Sequence, residues 1–235
     1  MNNILDLKEF KKLNEEQQTH DISNYLSIID YTQLSSNIDN NEIIDLCEKA
    51  KIYDTATVCV LPTFVKSAKD TLESSNVGVC TVVSFPEGTD DTIDKKQQCE
   101  DVIADGADEV DMVLNYKKLK QYFNPEQPEL GKSEELREYL VLEVKTLSEI
   151  CHSKGKILKV IVESGLLTEE ETEEATKICE EGNADYIKTS TGKVAIGAEL
   201  NKVKIMKNTI KGNLKIKASG GIRTIQQIEI FLPYV

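Results

Sequence analysis

Seven short runs rich in β-branched and apolar residues recur along the sequence: SIIDYTQL (27–34), TATVCVLP (55–62), VGVCTVVSF (77–85), EVDMVLNY (109–116), KILKVIVES (156–164), DYIKTST (185–191) and LKIKASG (214–220). Each is followed by a longer stretch with helical spacing, at about 40–52, 64–75, 91–105, 133–154, 168–182, 199–211 and 224–231. This alternation specifies a parallel sheet, because parallel neighbours need a crossover connection and a helix supplies it. Asp39 or Asn40, Ser133 and Thr168 stand where helix N-caps belong, and the acidic residues after Thr168 suit the helix dipole. A further helix over about 6–20 precedes the first strand, where it would either cover the N-terminal mouth of a barrel or stand free as an amphipathic arm.

A strand in an open, doubly wound sheet is covered by helices on both faces and is apolar on both. Here charged and polar residues repeat at alternate positions: Asp30 and Thr32, Glu109 and Asp111, Lys159 and Glu163, Lys188 and Ser190, and Lys215, Lys217 and Ser219. An open sheet would bury these beneath helices, where an unpaired ion is strongly destabilising. A barrel turns the same face toward its interior, where several strands supply catalytic residues near their C-terminal ends. The expected fold is therefore α/β, a (β/α)8-type TIM barrel forming one domain over 1–235. The 235 residues fall just short of the roughly 250 typical of that fold.

A formal charge of -13 gives a surface that repels nucleic acid and anionic membranes, so neither is an expected partner. The N-terminus, MNNILDLKEFKK, lacks a signal-peptide core, and no run approaches the roughly 20 apolar residues that span a bilayer, which points to a cytoplasmic protein. Six cysteines are scattered without CxxC spacing and read as free thiols. The two histidines, His20 and His152, are too few for a His-based metal site or a Ser-His-Asp triad. No metal and no cofactor are expected. The assembly considered is a homodimer through the outer helices, although those acidic helices show no obvious apolar patch.

Two lysines on neighbouring strands narrow the chemistry. A lysine is protonated at neutral pH and cannot attack a carbonyl; a second ammonium nearby lowers its pKa and frees the amine. Lys188 with Lys217 meets that need, and Asp111 is placed to take and return protons. Gly192 and Lys193 just beyond the sixth strand, and Gly220, Gly221 and Arg223 beyond the seventh, form glycine-rich turns suited to an anion such as a phosphate.

The motifs IDYTQL (29–34), TVCVLPTFV (57–65), VVSFPEG (82–88), GADEVDMVLNY (106–116), LKVIVESGLLTEEE (158–171), NADYIKTSTGK (183–193) and IKASGGIRT (216–224) occur in an order and spacing that resemble the deoxyribose-phosphate aldolases over about residues 24–231. The resemblance implies reversible, metal-free cleavage of 2-deoxy-D-ribose 5-phosphate to acetaldehyde and D-glyceraldehyde 3-phosphate. It implies that Lys188 forms the Schiff base, that Lys217 lowers its pKa and that Asp111 handles protons. It further implies that Asp30, Thr32 and Cys59 line the substrate pocket, and that Gly192, Lys193, Gly220 and Gly221 bind the phosphate.

In that family the segment after GGIRT continues into an eighth strand, a serine-rich turn that completes the phosphate site, and a last helix. This sequence stops at FLPYV, where that strand would begin. The expectation is a barrel without its eighth strand and last helix, from a sequence cut short, with weakened phosphate affinity and poor solubility. A strand supplied by a partner, or a loss of activity, would account for the same ending. Alternative readings are a related Schiff-base aldolase or transaldolase and a non-catalytic sugar-phosphate binder; a metal-dependent barrel enzyme is disfavoured by the scarcity of histidine.

Overall fold

A computed structural model describes residues 22–123 and 133–235. The helix read at about 6–20 lies outside them. A short helix α1 (Ile22–Leu26) leads into β1 (Asp30–Gln33), α2 (Asn40–Tyr53), β2 (Thr57–Val60), α3 (Val65–Leu72), β3 (Gly78–Val83), α4 (Thr92–Ala104), β4 (Glu109–Val113) and α5 (Tyr116–Phe123). Then follow α6 (Glu134–Ser153), β5 (Ile157–Ile161), α7 (Glu169–Glu181), β6 (Tyr186–Lys188), α8 (Leu200–Thr209), β7 (Lys215–Lys217) and α9 (Ile225–Phe231).

All seven strands are parallel and pair in sequence order, β1-β2-β3-β4-β5-β6-β7, as one curled sheet. No ladder joins β7 to β1 among the described residues, so the barrel is open along that seam. Side chains bridge the gap instead. Lys217 Nζ donates to the Ile28 carbonyl at 3.0 Å, Lys193 Nζ to the Leu34 carbonyl at 2.8 Å, and the Tyr25 hydroxyl to Glu229 at 3.0 Å. No helix among the described residues is long and apolar enough to cross a membrane.

The period-2 pattern of the strands sorts the core into two layers. Val58, Val60, Val79, Val110, Met112, Leu158, Val160, Ile187 and Ile216 face the helices in one large apolar cluster. A second, small cluster of Cys59, Cys80 and Val82, with Leu34, Leu61 and Phe85 against it, lies apart from the first. The cysteines sit among the charged residues of the barrel interior.

Helix starts follow local chemistry. Asp39 and Thr168 each complete a capping box, with Glu42 and Glu171 respectively, and Thr224 does the same with Gln227. Ser133 occupies its N-cap position without donating or accepting a capping bond, and Glu134 and Glu135 in the first turn meet the dipole instead. The sequence pattern carries the fourth strand to residue 116 and assigns nothing directly after it. The strand ends at Val113, and α5 begins at Tyr116, burying Tyr116, Leu119 and Tyr122 at three-residue spacing. The sequence ranges for the other strands likewise overrun by a few residues into the loops.

Between the sheet and its helices lies one wholly buried ion pair. Lys95 on α4 meets Glu143 on α6 at 2.9 Å and donates to the Val113 carbonyl at 2.8 Å, pinning the C-terminal end of β4. Burial pushes the lysine down and the carboxylate up, so the pair gains less from attraction than it loses in hydration. Breaking such a pair from one side costs about 3–5 kcal/mol, whereas replacing both partners with apolar groups is close to neutral. We expect Glu143→Leu to lower the denaturant midpoint sharply and Lys95→Met/Glu143→Leu to recover most of the loss. Equal destabilisation by the single and double variants would contradict this.

Candidate active site

Inside the barrel three carboxylates and three ammonium groups interlock: Asp30 and Glu109 open β1 and β4, Asp111 and Lys159 lie mid-strand in β4 and β5, and Lys188 and Lys217 end β6 and β7. Asp111 on β4 is fully buried and contacts Lys188 of β6 through Oδ2 and Lys159 of β5 through Oδ1, the latter at 2.9 Å. Lys159 also reaches Glu109 at 2.5 Å and Asp30 at 3.5 Å. Lys217 on β7 pairs with Asp30 Oδ2 at 2.9 Å, while Thr57 on β2 donates to Asp30 Oδ1 at 3.0 Å. The register explains the convergence: Asp30 lies opposite Thr57, Asp111 opposite Lys159, and Lys188 opposite Lys217.

The electrostatics follow from burial opposed by opposite charge. Burial alone would raise the Asp30 carboxyl, but Lys159, Lys217 and Lys188 together hold it below the usual carboxylate range. Asp111 is depressed in the same way: burial raises it, and Lys159 and Lys188 outweigh that. For Lys188 burial works to free the amine, yet the Asp111 carboxylate, and after it Cys59 and Cys80, reverse the outcome and raise its pKa. Lys159 is raised likewise, against burial, by Asp111, Asp30, Cys80 and Glu109.

The pairing differs from the one read from the sequence: Lys188 contacts the Asp111 carboxylate, which raises its pKa, while Lys217 pairs with Asp30. The charge of Lys217 is spent largely on Asp30, and the carboxylate touching Lys188 is the nearer influence. The cation found to oppose protonation of Lys188 is Lys159.

The two glycine-rich turns are stitched together. Thr189 Oγ1 donates to the Ser219 carbonyl at 2.9 Å, and Ser219 Oγ donates to the Ser190 carbonyl at 2.7 Å. Buried Glu163, beyond β5, accepts from both the backbone nitrogen and the hydroxyl of Thr191 and so holds the turn before Gly192. Gly197 packs so closely on the second turn that a Cβ there would lie 2.2 Å from the Gly220 carbonyl oxygen. By contrast, Gly192 and Gly221 both adopt positive φ, and a Cβ at either would meet nothing within 4 Å; they border open space.

A family model described as DeoC/LacD family aldolase matches residues 25–230. The chain belongs to this aldolase family. It is 42% identical over 204 residues to the deoxyribose-phosphate aldolase of Clostridium botulinum (strain Kyoto / Type A2), covering 87% of this chain and 89% of that protein. The deoxyribose-phosphate aldolase of Mycoplasmoides pirum is also 42% identical, over 209 residues and 88% of each chain. Among solved structures, a putative deoxyribose-phosphate aldolase from Coccidioides immitis superposes with a TM-score of 0.80 at 31% identity, covering 97% of this chain and 90% of that one.

Of the residues singled out from the sequence of this aldolase, Lys188, Asp111, Asp30, Lys217 and Cys59 are brought together inside the barrel. Thr32 is exposed, and its hydroxyl donates to the Asp30 carbonyl at 2.8 Å. Two of the residues expected to bind phosphate have partners within the chain. The Gly192 amide donates to Ser190 Oγ at 3.0 Å, and the Lys193 ammonium is engaged with the Leu34 carbonyl and lies over the Phe85 ring, 5.8 Å from its centroid. Short polar side chains inside the turn satisfy its own amides first. The residues missed are Lys159 and Glu163, read only as strand-face charges, and Thr57 and Gly197. Lys159 could have been found by setting the fourth and fifth strands in register; Gly197 carries no signal without the second turn that approaches it.

Proposed function

We propose that this chain is a class I deoxyribose-phosphate aldolase, which cleaves 2-deoxy-D-ribose 5-phosphate reversibly to acetaldehyde and D-glyceraldehyde 3-phosphate with Lys188 as the Schiff-base lysine. The observation that carries the reading is the buried contact between Lys188, at the C-terminal end of β6, and Asp111 inside a barrel whose relatives are aldolases. When the substrate aldehyde enters, Asp111 accepts the proton of Lys188, and the freed amine adds to the carbonyl carbon. Loss of water gives the iminium. Deprotonation of the C3 hydroxyl breaks the C2–C3 bond, releases D-glyceraldehyde 3-phosphate and leaves the enamine of acetaldehyde. Protonation at C2 and hydrolysis then restore the lysine.

Lys159 and Lys217 keep Asp111 and Asp30 ionised in a site from which water is largely excluded. The joined turns border open space at Gly192 and Gly221 and are the proposed seat of the phosphate, with Lys193 swinging from its present contacts to meet it. Borohydride reduction in the presence of acetaldehyde is expected to leave an ethyl group on Lys188. Failure to trap it, or faster turnover of fructose 6-phosphate than of 2-deoxyribose 5-phosphate, would overturn the reading. A non-catalytic binder would take up the sugar phosphate without forming the adduct.

Lys217→Leu tests the second lysine. It leaves Asp30 without its 2.9 Å partner while that carboxylate still acts on Lys188, so the ammonium form of Lys188 gains. Adduct formation should slow at neutral pH, and its pH optimum should move upward. An unchanged pH profile would remove Lys217 from the mechanism.

A further inference from the structure

Cys59 and Cys80 are far apart in sequence and carry no CxxC spacing, yet β2 and β3 pair so that the two residues stand directly opposite each other. Both are completely buried, both belong to the small inner cluster, and neither is used in the aldol chemistry proposed above as an acid, a base or a nucleophile. Asp111 lies beside them: one ligand atom from each of Cys59, Cys80 and Asp111 falls within 4.8 Å of the other two. We infer that these three residues form an inhibitory site for a thiophilic divalent cation such as Zn2+ or Cd2+.

The geometry is near what such an ion demands. Metal–sulfur bonds of about 2.3 Å and metal–oxygen bonds of about 2.0–2.2 Å in a tetrahedron place the ligand atoms roughly 3.5–3.8 Å apart, so side-chain rotation of about 1 Å closes the site. Three protein ligands leave the fourth position for water. Two thiolates select zinc or cadmium over magnesium or calcium, which prefer oxygen.

The charge balance also permits it. With neutral thiols, Asp30, Glu109 and Asp111 offset Lys159, Lys188 and Lys217. Binding replaces two thiol protons by one divalent cation, M2+ + 2 R–SH → M(S–R)2 + 2 H+, so the net charge of the buried cluster does not change and no electron is transferred. Lys159, whose Nζ lies 3.3 Å from Cys80 Sγ, stays beside the new thiolate as a favourable partner. The ion then competes with Lys188 for Asp111, and the nucleophile loses its proton acceptor. That inhibition rests on the aldolase reading; the binding itself does not.

Cadmium titration of the full chain in thiol-free buffer, followed by the sulfur-to-cadmium charge-transfer band in the ultraviolet, tests the site without needing turnover. One equivalent per chain is expected. Cys80→Ala, with Cys80→Ser as a bulkier second variant, should weaken binding by at least about 100-fold, more than the loss of an outer-shell partner costs. Cys151→Ala breaks the other close thiol pair, Cys99 and Cys151 at 3.7 Å, and should leave the titration unchanged. Absence of the band in the native chain, its persistence in both Cys80 variants or its loss in Cys151→Ala would overturn the site. In a parallel assay Zn2+ should stop turnover of the native chain and of Cys151→Ala, and a chelator should restore it. Stoichiometric binding with full turnover would overturn the inhibitory role, whereas binding by a chain that never turns over would instead count against the aldolase reading.

Discussion

Lys188→Ala is expected to abolish the borohydride-trapped acetaldehyde adduct and to lower aldol cleavage by at least about four orders of magnitude, the scale on which loss of a covalent catalytic group acts. Two other ammonium groups lie in the same cluster, so the outcome is not trivial. Lys159 is confined by Asp111, Asp30 and Glu109, with its side chain 3% exposed, and Lys217 is held by Asp30 and the Ile28 carbonyl. Lys159 is divided among three carboxylates, and Lys217 is paired with Asp30 rather than with the proposed proton carrier Asp111. The variant should fold, because Asp111 keeps Lys159 as a partner at 2.9 Å. Peptide mass analysis that finds the ethyl group on Lys159 or Lys217, in the native chain or in the variant, would reassign the nucleophile.

Asp111→Asn carries the second large effect, and its two consequences run in opposite directions. Removing the proton carrier should lower turnover by about 10²–10⁴-fold. The same change removes the carboxylate that does most to raise the Lys188 pKa, leaving burial and Lys159 to push it down. The sign follows: a group held high by an anion falls when the anion is neutralised, so a larger fraction of Lys188 is free amine at a given pH. The acid limb of adduct formation, measured by trapping across a pH series, should therefore move to lower pH even as turnover collapses. An acid limb that stays in place would mean that Asp111 does not govern the protonation of Lys188.

Much of the fold was legible because it rests on short-range periodicity. The alternation of β-branched runs with helical stretches announced the parallel order, and charges at every second position of several strands required an enclosed interior rather than a two-sided sheet. Asp39 and Thr168 marked helix starts because capping is decided within four residues. Strand ends were misjudged where apolar sequence continued into loops. At 114–116 the residues retain strand-like composition, but the chain turns into α5 to bury Tyr116 against its neighbours.

For the site, the sequence by itself determined which side chains turn inward, since a period of two leaves each strand residue only one face, and it thereby delivered Asp30, Asp111, Lys188 and Lys217 to the same interior. Only the tertiary structure decided which cation serves which carboxylate. Asp111 meets Lys159 across 48 residues of sequence and Lys188 across 77, and those partners depend on strand register and the curl of the sheet. The same register set Cys59 against Cys80. Attraction between buried charges falls off so steeply with separation and surroundings that a shift of a few ångströms exchanges one partner for another, and no local pattern in the chain encodes distances of that kind.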